Sequence, residues 1–178
     1  MKIAVISGTP RKTGKTKIAA RYIVNTFAAD LYDLSIEALP LFNGETSQNE
    51  LEAVKRLRKL VLEADGIVLC TPEYHNAMSG ALKNALDFLG SSEFAHKPVA
   101  LLAVVSGGKG GINALNSMRI VARGVYANVI PKQVVLDGSC FQSGVLIEDA
   151  KLLIYEMMLE LRTYMKAYGI IKSEMKTG

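Results

Sequence analysis

At 178 residues the chain is long enough for one domain with a full core, and 49% hydrophobic against 21% charged residues is an ordinary globular composition that argues against disorder. A formal charge of +4, from 21 Lys and Arg against 17 Asp and Glu, favours anionic ligands through the overall field but is no nucleic-acid footprint. Cys70 and Cys140 form neither a disulfide framework nor a metal-ligand spacing, and the longest apolar run, Val99 to Val105, is too short to span a bilayer.

In chain order, Lys2 to Ile6 is an almost unbroken apolar run, which predicts a strand covered on both faces. A loop follows, and Ile18, Ala19, Tyr22, Ile23 and Phe27 then recur at helical spacing. Asp30 to Leu34 reads as a second strand, Glu37 to Asn49 as a loop, and Glu50 to Glu63 as an amphipathic helix with Leu51, Val54, Leu57, Leu60 and Val61 on one face. Gly66 to Cys70 is a third buried strand ending in a loop, Thr71 to His75. Met78 to Leu89 is a helix stopped by Gly90, and Lys97 to Val105 a fourth strand leading into Ser106–Gly111. A helix from Ile112 to Arg123 precedes a fifth strand, Val129 to Leu136, where Pro131 predicts an edge position. Ile147 to Tyr168 is a long last helix. Residues 1–170 are expected to form the domain and 171–178 a tail, with the loose segment starting near Ile170. No cleavage pattern precedes the first strand, so a cytoplasmic location is expected.

The first loop is dense in hydroxyls, glycines and cations: Ser7, Gly8, Thr9, Pro10, Arg11, Lys12, Thr13, Gly14, Lys15 and Thr16. A loop entering a helix N-terminus points free backbone N–H groups at one spot, aided by the positive end of the helix dipole, and such a place holds an anion, usually a phosphate. The stretch nearly matches the nucleotide-binding pattern G-x-x-x-x-G-K-[ST]. However, Thr9 stands where the first glycine belongs, Pro10 removes a backbone donor, and no later strand ends in an acidic residue to hold magnesium.

Alternating buried strands and helices predict an α/β, three-layer sandwich with a five-stranded parallel sheet in the flavodoxin-like order 2-1-3-4-5. Ligands of such sheets lie at the carboxyl ends of the strands, where the order reverses, so the loops after strands one, three and four converge on one crevice. The second loop, with Pro72, Glu73, Tyr74 and His75, offers fixed backbone, amide donors and a ring for the edge of a planar group. The third, with Ser106, Gly107, Gly108, Lys109 and Gly111, lets backbone approach a flat ring closely. A phosphorylated planar cofactor, FMN, fits these loops better than a dinucleotide, because G-x-G-x-x-G is absent after the first strand.

On these residues the chain resembles the NAD(P)H-dependent FMN reductases of flavodoxin-like fold. The resemblance is carried by Ser7-Gly8-Thr9-Pro10-Arg11, by Pro72-Glu73-Tyr74-His75 with Ser79-Gly80-Ala81-Leu82-Lys83-Asn84-Ala85-Leu86-Asp87, and by Ser106 to Gly111. It covers residues 1 to about 170 and is greatest toward the bacterial azobenzene reductase subgroup, FMN-dependent NADPH-azoreductases. The family usually carries Ser-x-Arg-x-x-Ser-x-Asn in the first loop. Thr9 and Arg11 match it, Gly14 stands where Ser is usual and Thr16 where Asn is usual, so Lys15 or Thr13 is expected to replace the lost phosphate ligand. His75 stands where Asn is common, which leaves that flavin contact to backbone.

The resemblance implies hydride transfer from NADPH (NADH being possible) to flavin N5, then from the flavin to an azo compound, quinone or other small acceptor. No side chain is nominated as catalytic, since the cofactor carries the chemistry. It further implies a homo-oligomer, dimer or tetramer, with a neighbouring chain roofing the flavin near Met78 to Leu89 and Ser91 to Phe94. Lys109 is placed to steer NADPH phosphates, and no metal, nucleic-acid or membrane partner is expected. The rival readings are a flavodoxin-type electron carrier, which would not oxidise NADPH itself, and a nucleotide hydrolase.

Overall fold

A computed structural model describes residues 1–107 and 110–174. Five parallel strands form its main sheet: β1 (Ile3–Ser7), β2 (Asp30–Asp33), β3 (Gly66–Tyr74), β5 (Pro98–Val104) and β6 (Asn128–Leu136), in the spatial order β2-β1-β3-β5-β6. The short strand β4 (Ala77–Met78) pairs antiparallel with the end of β3, and a separate hairpin joins β7 (Phe141–Gln142) to β8 (Val145–Leu146). The helices are α1 (Lys15–Phe27), α2 (Glu52–Glu63), α3 (Gly80–Asp87), α4 (Ser91–Phe94), α5 (Ile112–Gly124) and α6 (Glu148–Glu174). With β4 set aside as a hairpin, this is the expected order 2-1-3-4-5.

Side-chain alternation along the strands divides the core into two layers. Ile3, Val5, Val68, Cys70, Ala100 and Leu102 face α1 and α6, meeting Ile23, Phe27, Ile154, Met158 and Leu161. Ala4, Ile6, Ile67, Leu69, Val99 and Leu101 face the other way, onto Leu57, Val61, Leu82, Leu115 and Met118 of the helices between. Because β1, β3 and β5 are buried on both sides, they read as continuous apolar runs rather than alternating ones. Burying each of these Leu and Ile side chains contributes about 1.5–3 kcal/mol. Cys70 is a free cysteine inside this layer, and burial pushes its thiol up to about 12.

Several boundaries differ from the sequence expectation. β3 does not stop at Cys70 but runs on through Thr71, Pro72, Glu73 and Tyr74. At Pro72 only β5 still pairs with β3, through Val104, because β1 has ended opposite Cys70; the missing N–H therefore falls at a sheet edge, where proline is tolerated. The helix expected from Met78 begins at Gly80, with Ser79 as its N-cap. Pro131 lies on the edge strand as expected, inside a bulge where pairing jumps from Val99↔Val129 to Leu101↔Gln133. α6 continues to Glu174, past Tyr168, so residues 170–174 are helical rather than loose. No helix among the described residues is long and apolar enough to cross a membrane.

Candidate active site

The carboxyl ends of β1, β3 and β5 open onto a cleft of about 300 Å³. The chain can leave β1 there only because residue 8 is glycine. A Cβ on Gly8 would lie 2.7 Å from the Cys70 carbonyl oxygen and 2.8 Å from Leu82 Cβ, while its N–H donates to that same carbonyl at 2.7 Å. Ser79 fastens the turn from the other side: its hydroxyl donates to the Gly8 carbonyl and accepts from Leu82 N at 3.0 Å, so one buried hydroxyl caps α3 and holds the first loop. The Ser79 N–H in turn donates to Thr71 Oγ1 at 3.0 Å. These bonds lock the first loop to the β3–β4 hairpin.

The second and third loops are joined by Glu73. Its Oε2 accepts from Gly111 N at 2.8 Å and Ala114 N at 3.1 Å, the N-cap and third-residue amides of α5. Gly111 has no side chain to cap that helix, and Glu73 supplies the cap from 38 residues away. Gly111 itself sits at φ 95°, and a Cβ there would meet Val135 Cγ1 at 2.5 Å; backbone geometry and close packing on β6 demand glycine at this point. A Cβ on Gly110 would lie 2.7 Å from Glu73 Oε1.

Of the helix N-termini at this end of the sheet, those of α1 and α5 are treated differently. That of α5 is neutralised by the Glu73 carboxylate. That of α1 has Gly14 at the cap with no side-chain hydrogen bond and no acidic residue in its first turn. The amides of Lys15, Thr16 and Lys17 are there without intrahelical partners, as in any first helical turn. Arg11 and Lys15 stand at the same place, and neither forms an ion pair among the described residues. Thr9 is buried and takes the Arg11 N–H on its hydroxyl at 3.2 Å, and Thr16 is buried beside it. Ser7 Oγ, at the end of β1, is buried with no hydrogen-bond partner among the described residues. Lys17 is committed elsewhere: its ammonium lies 2.9 Å from Asp33 Oδ2 and 2.8 Å from Ser35 Oγ. Burial alone would raise the Asp33 carboxyl, but hydrogen bonds from Ser35 and Lys17 outweigh it and hold the group below its usual value.

Of the residues singled out by sequence, Thr9, Arg11, Gly14, Lys15 and Thr16 line the cleft from the first loop, Pro72, Glu73 and Tyr74 from the second, and Ser106 from the third. Thr13 is exposed beside the cleft and does not line it. His75 does not line it: with Asn76 it forms the two-residue turn of the β3–β4 hairpin, at φ 50° and 63°, a conformation His and Asn tolerate better than most residues. Gly107 and Gly111 also do not line the cleft, and Gly108 and Lys109 lie outside the described residues. Val104 and Val105 complete the wall, unanticipated because they read simply as the end of a strand. Ser79 was recognised only as part of a motif; its capping role was legible from its place before Gly80-Ala81-Leu82. The described residues contain no cluster of three His, Cys, Asp or Glu side chains able to hold a metal.

The family model of the NADPH-dependent FMN reductases matches residues 1–140. An NADPH azoreductase of Bacillus sp. (strain OY1-2) is 65% identical over 175 residues, covering 98% of each chain. An FMN-dependent NADPH-azoreductase of Staphylococcus aureus (strain USA300) is 32% identical over 174 residues, covering 91% of this chain and 89% of that protein. Among solved structures, FerB from Paracoccus denitrificans, a flavoenzyme NAD(P)H:(acceptor) oxidoreductase, superposes with a TM-score of 0.77 at 20% identity, covering 94% of this chain and 98% of that one. At that identity the likeness speaks for the fold.

Proposed function

The chain belongs to the NADPH-dependent FMN reductase family, and from that premise we propose that it uses NADPH and bound FMN to reduce azo compounds, with quinones as further acceptors. The observation that carries the site assignment is the contrast between the two helix N-termini. The chain closes α5 with its own carboxylate and leaves α1 open, cationic and flanked by hydroxyls, which is the seat a phosphate dianion requires. The residues present fit the group. Thr9 and Thr16 line the cleft with hydroxyls, and Arg11 and Lys15 bring two cations that form no ion pair among the described residues.

Thr9, Arg11, Lys15 and Thr16 would hold the phosphate, and the backbone of Pro72 to Tyr74 with Ser106 would border the ring. FMN supplies the hydride acceptance and delivery that these side chains lack. The protein's own part is positioning and electrostatics. Backbone amides around the cleft stabilise negative charge, the Gly8–Ser79–Thr71 bonds fix the distance between first and second loops, and Glu73 fixes the third against the second. The net charge of +4 draws anionic nucleotides toward the cleft.

The reading includes a homo-oligomer in which a neighbouring chain covers exposed apolar surface such as Tyr74, which lines the cleft, and Ile112, next to the α5 cap. It also places the chain in the cytosol, in keeping with two free cysteines. The test is anaerobic bleaching of an azo dye by NADPH. It should require FMN, stop when the flavin is stripped and return when FMN is restored. An FMN-loaded protein that consumes no NADPH in the presence of dye would overturn the reading.

A further inference from the structure

Lys15 is the first residue of α1 and lines the cleft, yet its ammonium is held by an element outside the three strand-end loops. Its Nζ lies 5.5 Å from the centroid of the Phe141 ring, and a Cβ on Gly138 would stand 3.3 Å from it. Gly138 belongs to the turn after β6, and Phe141 opens the β7–β8 hairpin. That hairpin is anchored. Leu146, paired with Phe141, is buried in the α1-side core, and Ile147 N donates to the Cys140 carbonyl at 3.1 Å. The nearby carboxylate does not neutralise the lysine, because Asp137 is turned onto its own turn, accepting from Ser139 N at 2.8 Å and from the Ser139 hydroxyl at 2.5 Å. Lys15 is therefore positioned by an aromatic face and by the absence of a side chain at residue 138, while its charge stays available to the cleft.

We propose that Lys15, positioned by Phe141 and Gly138, is the side chain that makes this protein select a flavin bearing a 5′-phosphate over the same flavin without one. The inference rests on the FMN reading above and deepens it. Gly14 brings no hydroxyl to the α1 N-terminus, and the backbone amides there approach a phosphate only along the helix axis. The ammonium enters from the hairpin side, beside Phe141 and Gly138. An ammonium facing a phosphate forms charge-assisted hydrogen bonds, which are stronger and shorter than its contact with an aromatic face.

The experiment is titration of flavin-free protein with FMN and with riboflavin, followed by quenching of flavin fluorescence, for wild type, Lys15→Met, Lys15→Arg and Phe141→Leu. Lys15→Met should weaken FMN binding by about 10-fold or more and leave riboflavin unchanged. Lys15→Arg should restore most of the FMN affinity. Phe141→Leu should shift the FMN affinity in the same direction as Lys15→Met by a smaller factor, again sparing riboflavin. FMN affinity unchanged in Lys15→Met, or equal losses for both flavins, would overturn the inference while leaving the cofactor reading intact. An unaltered FMN affinity in Phe141→Leu would remove the hairpin from it. A wild-type protein that takes up no FMN at all would overturn the cofactor reading and this inference with it.

Discussion

Replacing Glu73 by alanine removes a carboxylate that spans two loops, and the cost follows from what it leaves behind. Gly111 N and Ala114 N lose acceptors at 2.8 and 3.1 Å. Their helix loses its only cap, since Gly111 has no side chain to substitute and the first turn contains no acidic residue. Cap removal costs ~0.5–2 kcal/mol, and hydrogen bonds to a charged acceptor ~1.5–3 kcal/mol each when broken in the interior. The site is half-buried, so water recovers part of the loss, and the net expectation is about 2 kcal/mol, or ~4–8 °C in Tm for a domain of this size. Glu73→Gln keeps an acceptor oxygen but gives up the charge at the helix dipole, and should lose about 1 kcal/mol. Urea unfolding of the flavin-free protein, followed by far-UV circular dichroism, separates these values from any effect of bound cofactor. Glu73→Ala within about 0.5 kcal/mol of wild type would refute the assignment of Glu73 as the cap of α5.

Lys97 donates to the Val61 and Leu62 carbonyls at 2.7 Å each, and burial, assisted by Lys172 and opposed by Asp65 and Glu93, pushes its ammonium down to about 8 from 10.5. Between those values the unfolded chain binds more protons than the folded one, so stability should rise with pH by at most ~1.4 kcal/mol per unit from about pH 8 upward. The buried Cys70 thiol acts in the opposite sense above 9.0, because only the unfolded chain ionises there. Measuring wild type against Lys97→Met between about pH 7 and 10 cancels the cysteine, and a pH-independent difference would contradict the Lys97 account. Gly8→Ala should destabilise by about 1–3 kcal/mol, since its Cβ would collide with the Cys70 carbonyl and Leu82; wild-type stability in denaturant unfolding would show that the turn has room to spare. Ser79→Ala should cost about 2–3 kcal/mol by removing the α3 cap and the Gly8 anchor together, and a loss confined to a few tenths would assign the hydroxyl no such double role.

The central strands were legible because strands buried on both faces leave uninterrupted apolar runs, as in Gly66–Cys70 and Lys97–Val105, and alternation with helices then dictates the sheet. The first-loop wall of the cleft was legible because its parts, between Thr9 and Thr16, are adjacent in the chain. What escaped was built across the chain. Pro72 reads as the end of a strand, yet β3 passes through it once β1 has stopped. The Glu73 carboxylate looks like a candidate ligand, but a helix 38 residues later consumes it. Gly111 takes the positive φ that a glycine loop allows, but what it packs against, Val135 of β6, is set far along the chain. The β7–β8 hairpin went unread, although Ser143-Gly144, both at positive φ, is a turn dipeptide between short apolar pairs.

The central claim, an FMN site at the open end of α1 that NADPH reduces, is tested most directly by an absorbance spectrum of the purified protein before and after anaerobic addition of NADPH. The account predicts flavin bands that are present or appear on adding FMN, and that bleach within seconds of the nicotinamide. Bound flavin that NADPH leaves unchanged would contradict the reductase and point to an electron carrier. Protein that takes up no FMN would contradict the site itself.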